Sequence, residues 1–261
     1  MTSSPTCLAL GAPTPTRSTA SIGPRTPTRD WRPPKSPSTD SPVVLNTGAT
    51  GPAGHAAARR FAGDGARLAL VSRDRATLEE MGHGLGIDAE SWMAVTSDLS
   101  GSGAAQAVAA QVEERWGRID VLLHLIGGWV GGTAVVDLDH DEVRGMLEQH
   151  LWTTLRIVQQ VVPGMVERHF GRIVAVSSPV ATDVRPKQAS YAIGKAAEEV
   201  LIRTLAGEVA GTGVTANLVL ARTIGPGHTS AEELAETLAF LSSPAAEAVN
   251  GARIPLDGVR P

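Results

Sequence analysis

Aromatic residues and cysteine are scarce in this chain of 261 residues. Aromatics make up 3% of it, with a single tyrosine, Tyr191, and the only cysteine is Cys7. So few aromatic side chains argue against the stacking platforms that bind single-stranded nucleic acid or RNA. One cysteine excludes an intramolecular disulfide framework and a multi-cysteine zinc site. The histidines also lack the spacing of metal ligands, so no metal site is expected.

Long apolar runs and a strong excess of one charge are missing too. No apolar run reaches the roughly 20 residues that a membrane-spanning helix needs, and the N-terminus lacks the apolar stretch of a secretory signal. The formal net charge is −4, which argues against a basic nucleic-acid-binding protein. We expect a soluble cytoplasmic protein that binds neither nucleic acid nor membranes.

The composition of the chain changes at about residue 42. Residues 1–42 contain nine of the seventeen prolines together with many serines and threonines. Such a segment buries too little apolar surface to fold, so a disordered tail is predicted. Its bias toward Arg and Ser is faintly similar to a transit peptide, but the prolines disfavour the helix that such a peptide forms. Residues 43–261 are predicted to form one domain.

Short aliphatic runs alternate with helical stretches in this domain. The runs lie at residues 43–46, 67–71, 92–95, 119–125, 172–176, 214–220 and 252–256. Continuous apolar runs are typical of strands that are covered on both faces. The alternation predicts an α/β fold, a Rossmann-type doubly wound parallel sheet of about seven strands in a single domain. Residues 141–168 are predicted as one long helix.

A glycine-rich turn follows the first predicted strand. It places Gly48, Thr50, Gly51 and Gly54 between that strand and a helix. Glycines permit a tight turn, a close backbone approach to phosphate and close packing of helix on strand, while the helix N-terminus favours an anion. In this context the turn indicates a dinucleotide site, with an ordinary glycine turn as the alternative.

The second predicted strand ends in Ser72, Arg73 and Asp74. An acid at this position usually accepts from the ribose 2′-hydroxyl of NAD(H), whereas a guanidinium suits a 2′-phosphate. We therefore favour NADP(H), with NAD(H) as the alternative, because Asp74 could also pair with Arg73 or bind a ribose hydroxyl. Arg73 could equally begin a solvated helix.

A serine, the one tyrosine and a lysine form the third pattern. Tyr191 lies thirteen residues after Ser178, which follows the fifth predicted strand, and Lys195 lies four residues after Tyr191 on a helix. Positions four apart share a helix face. An ammonium stabilises a nearby phenolate, and a serine hydroxyl can hold a carbonyl oxygen while the phenol gives it a proton.

Together these motifs resemble the short-chain dehydrogenase/reductase superfamily from about residue 43 to residue 258. The resemblance rests on five segments, at residues 47–54, 97–99, 171–178, 191–195 and 250–258. It implies that Tyr191 is the general acid-base, that Lys195 holds the nicotinamide ribose and that Ser178 positions the substrate. It further implies a set of cofactor contacts: Asp98 and Leu99 at the adenine, Gly127 in the cleft, and Thr223 and Ile224 at the carboxamide.

The chain departs from the family pattern at several positions. His124 to Gly127 stand where Asn-Asn-Ala-Gly is usual, and His150 replaces a helix asparagine that anchors a water in the proton relay. Histidine both donates and accepts, so His150 is a candidate relay residue, with a structural role as the alternative. The helical flap after the sixth strand is nearly absent, which predicts an open substrate pocket.

A minor resemblance concerns the substrate. Residues 127–132 and 151–154 are similar to quinoid dihydropteridine reductase, although Trp129 and Trp152 are also expected to be packing anchors. The sequence thus predicts an oxidoreductase that moves hydride between nicotinamide and a small carbonyl or alcohol. The alternative is a weak or inactive NAD(P)-binding module for sensing or assembly. The resemblance implies a homodimer or homotetramer that pairs through the helix of Tyr191.

Overall fold

The computed structural model describes residues 41–225 and 228–256. The tail predicted at residues 1–42 lies outside the described residues except for its last two. Those two join the domain edge, because the Pro42 carbonyl accepts from the Arg67 amide at 2.9 Å and the Ser41 carbonyl accepts from Arg118 at 3.3 Å.

The described residues form one parallel sheet of seven strands. The strands are β1 (Val43–Thr47), β2 (Arg67–Ser72), β3 (Trp92–Thr96), β4 (Val121–His124), β5 (Gly171–Ser177), β6 (Val214–Ala221) and β7 (Arg253–Leu256). Their order in the sheet is β3-β2-β1-β4-β5-β6-β7, and every neighbouring pair is parallel. The order reverses between β1 and β4, and clefts form at such a switch point, outside the carboxyl ends of the strands. The predicted Rossmann-type fold is confirmed.

Helices cover both faces of this sheet. They are α1 (Pro52–Gly63), α2 (Arg75–Gly84), α3 (Ala104–Trp116), α4 (His140–Leu147), α5 (Thr153–Glu167), α6 (Ala189–Glu208) and α7 (Ala231–Ser242). One apolar layer joins the sheet to α3, α5 and α6 through residues such as Val108, Ile157 and Ile202. The other joins it to α1, α2 and α7 through residues such as Phe61 and Leu238. Among the described residues, no helix is both long and apolar enough to cross a membrane.

The helix predicted at residues 141–168 is interrupted in its middle. Glu148–Trp152 form a π-helical turn between α4 and α5. Two threonine hydroxyls donate back to carbonyls of this turn, Thr153 to Gln149 at 2.6 Å and Thr154 to His150 at 2.5 Å. Hydroxyl bonds of this kind compete with the helix ladder, and π turns often occur at functional sites.

The connection after β6 is short. Residues 222–230 join β6 to α7, and their described part holds one isolated bridge between Ile224 and Thr229. The described part of this connection contains no helix.

Candidate functional site

Two glycines fix the shape of the turn between β1 and α1. Gly48 has a φ of +80°, and a Cβ there would lie 2.8 Å from the backbone of Leu125. A Cβ on Gly54 would lie 2.4 Å from the Gly48 carbonyl oxygen. The buried Asn46 side chain also donates to the Gly54 carbonyl at 2.9 Å. The turn is therefore held tightly against β1, and the first amides of α1 are left without intrahelical acceptors.

A cleft of about 500 Å³ opens beside this turn, at the carboxyl ends of the strands. Eight of the residues predicted to bind the cofactor line it: Gly48, Thr50, Gly51, Ser72, Arg73, Asp98, Leu99 and Gly127. Its lining does not include the other five predicted residues: Gly54, Tyr191, Lys195, Thr223 and Ile224. Gly54 instead packs behind the loop, and Thr223 is exposed.

The cleft fits a nucleotide. Its volume lies within the range of about 300–1,000 Å³ that is usual for ligand sites. In the described part of the chain a Cβ on Gly127 would meet no atom within 4 Å, and one on Gly51 would meet only the Gly48 carbonyl, at 3.5 Å. This leaves room for a phosphate close to the backbone at the N-terminus of α1.

At the end of β2, Arg73 lines the cleft, whereas the carboxylate of Asp74 is occupied by hydrogen bonds from the first turn of α2. The Ser72 hydroxyl lies 2.9 Å from that of Thr50, and Arg73 is exposed on the cleft. Asp74 is the N-cap of α2: its carboxylate accepts from the Thr77 hydroxyl at 2.7 Å and from two backbone amides of the first turn. The hydrogen bonds from Thr77 lower the pKa of Asp74. Asp74 thus has a capping role that occupies both of its oxygens.

Asp98 and Leu99 follow β3 and line the cleft next to the end of β2, where the Ser97 amide donates to the Ser72 carbonyl at 2.9 Å. The Asp98 carboxylate accepts from the Ser100 hydroxyl at 2.7 Å and from the Ser100 amide at 3.0 Å. These bonds, with a smaller contribution from the charge of Arg73, lower the pKa of Asp98. Leu99 is buried, whereas Asp98 and Ser100 are exposed and line the cleft together with Ser97.

Ser178 and Tyr191 lie where β5 meets α6. Ser178 follows β5 directly, is buried, and accepts from the Val180 amide at 3.4 Å. Tyr191 stands in the first turn of α6 and is half-buried. Its ring is 5.5 Å from the His150 ring in an edge-to-face arrangement. Because α6 packs against β5 and against the turn that Ser178 begins, both side chains belong to the same end of the sheet.

Lys195 is held by an acid that the sequence analysis overlooked. Its ammonium donates to the Val176 carbonyl and to the Glu198 carboxylate, both at 2.8 Å. Burial raises the pKa of Glu198, and the charge of Lys195 acts against that rise. A lysine and an acid three positions apart were visible in the sequence, but nothing in the sequence indicated that both would be buried.

Two histidines replace the asparagines of the family pattern, and both are buried. His124 Nδ1 lies 2.9 Å from the Thr47 hydroxyl, and burial, helped by the charge of Lys195, lowers the pKa of His124 to about 3. Burial, again with help from Lys195, lowers the pKa of His150 to about 3. Both rings are therefore neutral near pH 7.

The two ring nitrogens of His150 differ in their contacts. Its Nε2 lies 3.2 Å from the Gly128 carbonyl, and since a carbonyl only accepts, Nε2 carries the proton. Within the described residues the buried Nδ1 has no hydrogen-bond partner. The lone pair of Nδ1 can accept a hydrogen bond from a water, which is the chemistry expected of a residue that anchors a relay water.

The π turn contributes cleft residues that were not predicted. Glu148 and Gln149 line the cleft together with Thr153, the first residue of α5, and the Gln149 amide donates to the Gly127 carbonyl at 2.7 Å. The regular apolar period of residues 141–168 gave no signal for this turn, so its cleft-facing residues were missed.

The two tryptophans are not packing anchors of the single chain, so that expectation is wrong. Trp129 is 58% exposed and Trp152 is 44% exposed. Trp129 belongs to the loop after β4, where its ring lies over Gly131, and Trp152 is the last residue of the π turn. Neither position faces either of the two apolar layers, so the rings stay at the surface.

Comparison with curated proteins finds relatives of moderate identity. The bovine dehydrogenase/reductase SDR family member 7B is 32% identical over 173 residues, which cover 64% of this chain and 53% of that protein. The Thauera aromatica protein (2S)-[(R)-hydroxy(phenyl)methyl]succinyl-CoA dehydrogenase subunit BbsC is 33% identical over 195 residues, which cover 73% of this chain and 76% of that protein. The chain thus spans about half the length of the bovine relative.

Comparison with solved structures agrees with the fold. A 3-ketoacyl-(acyl-carrier-protein) reductase from Brucella melitensis, solved in complex with NADH, superposes with a TM-score of 0.79. The match covers 85% of this chain and 99% of that one at 24% identity. The family model described as short chain dehydrogenase matches residues 42–237. By its glycine turn, its cleft and this match over most of its length, the chain belongs to the short-chain dehydrogenase family of oxidoreductases.

Proposed function

We propose that this chain transfers hydride between a nicotinamide dinucleotide, preferably NADP(H), and a small carbonyl or alcohol compound, with Tyr191 as general acid-base. The observation that carries the proposal is the position of the cleft. The glycine turn, Arg73 and Asp98 line it, and Ser178 and Tyr191 lie at the same end of the sheet. The family binds nicotinamide cofactors, and the Thauera relative is named as a subunit of the dehydrogenase of a hydroxyl-bearing CoA compound.

The protein groups divide the chemistry between them. When bound, the reduced nicotinamide supplies a hydride to the carbonyl carbon. The Ser178 hydroxyl holds the carbonyl oxygen, and the Tyr191 phenol gives that oxygen a proton as the C=O π bond opens, which leaves an alcohol and a tyrosinate. The Lys195 ammonium stabilises the tyrosinate by its charge and holds the ribose. His150 Nδ1 serves the relay that returns the proton.

Arg73 supports the preference for NADP(H). A guanidinium beside the ribose matches a 2′-phosphate. The acid that would have served NAD(H), Asp74, caps α2 with its carboxylate and so competes poorly for a ribose hydroxyl. Thr223 and Ile224 are proposed to contact the carboxamide from the connection after β6.

The test is oxidation of NADPH with a panel of carbonyl compounds that includes a quinonoid dihydropteridine, the minor substrate hypothesis. Tyr191→Phe is expected to abolish turnover while NADPH still binds. An active phenylalanine variant would exclude Tyr191 as the acid. The connection after β6, whose described part holds no helix, and the buried histidines in place of asparagines favour a second candidate, an inactive NAD(P)-binding module for sensing or assembly. Cofactor binding without turnover on any carbonyl would favour that module.

We also propose a cytoplasmic homodimer or homotetramer that pairs through α6. Ile193 and Val200, seven positions apart on one side of α6, are 43% and 61% exposed. Residues seven apart lie on one helix face, and an exposed apolar stripe of this kind is typical of a subunit contact. Light scattering that gives the mass of one chain would contradict the pairing.

A further inference from the structure

The pair of Lys195 and Glu198 is almost completely closed off from water. The side chains are 4% and 0% exposed, and Nζ lies 2.8 Å from Oε2. A buried ion pair is weak evidence for stability, because removing two charges from water costs about as much as their attraction returns. A gain in stability therefore does not explain why both charges are buried. The position of the pair beside Tyr191 on the same helix indicates a role in the site.

Among the contacts with described residues, the ammonium of Lys195 keeps one of its donors free. An ammonium has three N–H donors. The Val176 carbonyl takes one and Glu198 takes another. Val176 lies on β5, two positions before Ser178, so the charge of Lys195 is fixed next to the strand end that the proposed substrate-binding serine follows.

We propose that Glu198 is a positioning residue that supplies the counter-charge of the Lys195 ammonium and directs its remaining donor to the cofactor ribose, which keeps the positive charge close to Tyr191. This inference rests on the function proposed above. Glu198 also lies 3.4 Å from the Thr154 hydroxyl, which donates to the His150 carbonyl. Glu198 thereby joins the helix of Tyr191 to the π turn of His150.

The surroundings leave Glu198 as the counter-charge of Lys195. His124 on β4 and His150 on the π turn face Lys195, and both are neutral near pH 7 because burial lowers their pKa to about 3. Tyr191 and Glu199 share helix α6 with the pair. Glu199 is engaged elsewhere: it accepts from Ser177 at 2.9 Å and from Arg253 on β7 at 2.6 Å.

The test is Glu198→Gln. Without its carboxylate the buried ammonium gives up its proton more readily, because burial favours the neutral amine. We expect kcat with NADPH and an accepted carbonyl to fall about tenfold to a hundredfold, the value of one charged hydrogen bond. The loss should grow as the pH rises from 6 to 9, with KM for the carbonyl unchanged. The Kd of Glu198→Gln for NADPH, measured by calorimetry without substrate, should rise over the same pH range.

Glu199→Gln is the matched control. It removes a carboxylate of equal burial from the next residue on the helix, so it should lower Tm by a similar amount while the pH profiles of kcat and Kd stay parallel to wild type. Parallel profiles for both variants would overturn the positioning role and leave the proposed function intact. A wild-type chain that does not bind NADPH would overturn both the positioning role and the proposed function. If wild type binds NADPH without turnover, the pH dependence of the Kd for NADPH in Glu198→Gln decides whether Glu198 positions Lys195.

The conservative variant Glu198→Asp retains the charge and should recover the wild-type pH dependence and part of kcat. If Glu198→Gln does not fold, Glu198→Asp is compared with Glu199→Asp. A kcat that is lower in the first alone supports the positioning role, and equal values overturn it.

Discussion

Within the glycine turn between β1 and α1, Gly54 should tolerate an added methyl group least. In Gly54→Ala the new Cβ would lie 2.4 Å from the Gly48 carbonyl oxygen and 2.6 Å from Ala49 Cα. Relaxed contacts between such atoms are about 3.5 Å, so the turn and α1 must separate by about 1 Å. Both obstacles are backbone atoms, which cannot rotate away as a side chain would.

The expected cost follows from this displacement. Overpacking a buried site typically costs about 1–3 kcal/mol, and a rigid backbone obstacle puts Gly54→Ala near about 3 kcal/mol. For a domain of this size that lowers Tm by about 6–12 °C. A shift of about 1 Å in a positioned site can cost roughly a hundredfold, so the Kd for NADPH should rise at least about tenfold.

The assay is thermal unfolding together with calorimetric titration of NADPH, with two control glycines. Gly63 ends the same helix, and a Cβ there would meet no described atom within 4 Å, so Gly63→Ala should gain up to about 1 kcal/mol and keep Kd. Gly51→Ala meets only an ordinary contact at 3.5 Å and should keep Tm while its methyl group weakens NADPH binding. A Gly54→Ala variant with wild-type Tm and Kd would refute the reasoning.

Three further predictions concern charge, protonation and assembly. Arg73→Gln should raise the Kd for NADPH about tenfold and leave that for NADH unchanged in calorimetry; equal effects on both would remove Arg73 from the 2′-phosphate. His124 and His150 are neutral when folded, whereas the unfolded chain protonates them below about pH 6.5, so the free energy of unfolding should fall as pH drops from 6.5 toward 3, by up to about 1.4 kcal/mol per unit for each. His124→Gln and His150→Asn should each flatten that slope in urea titrations, and an unchanged slope in both variants would contradict the assignment. Val200→Glu should give a single-chain mass in light scattering, and an unchanged oligomer would show that α6 is not the contact.

Much of the fold could be predicted because its signals are local. The first run, at residues 43–46, became β1 (Val43–Thr47), and the sixth, at residues 214–220, became β6 (Val214–Ala221). In a sheet covered on both faces such runs are continuously apolar, which separates them from the helices between them. The cleft residues at the strand ends, such as Ser72 and Asp98, were accessible for the same reason, since parallel strands bring their carboxyl ends to one edge.

The π turn could not be predicted from local sequence signals. Its residues keep the helical apolar period, and only the hydroxyls of Thr153 and Thr154 divert hydrogen bonds from the ladder. A threonine in a helix usually has no such effect, so the sequence could not indicate that Gln149 would reach the cleft or that His150 Nδ1 would be left without a partner among the described residues.

The burial of Glu198 and Glu199 is a second feature that local sequence signals could not indicate. By composition, adjacent acids belong on a solvated helix face, and burying them is costly unless each finds a cation. Glu198 finds Lys195 three positions away, but Glu199 finds Arg253 on β7, fifty-four positions along the chain. The second pairing exists only once β7 has joined β6, so the residues near Glu199 in the sequence could not indicate that its charge would be paired and buried. The site around Lys195 therefore depends on the last strand of the sheet as well as on the local spacing of Tyr191 and Lys195.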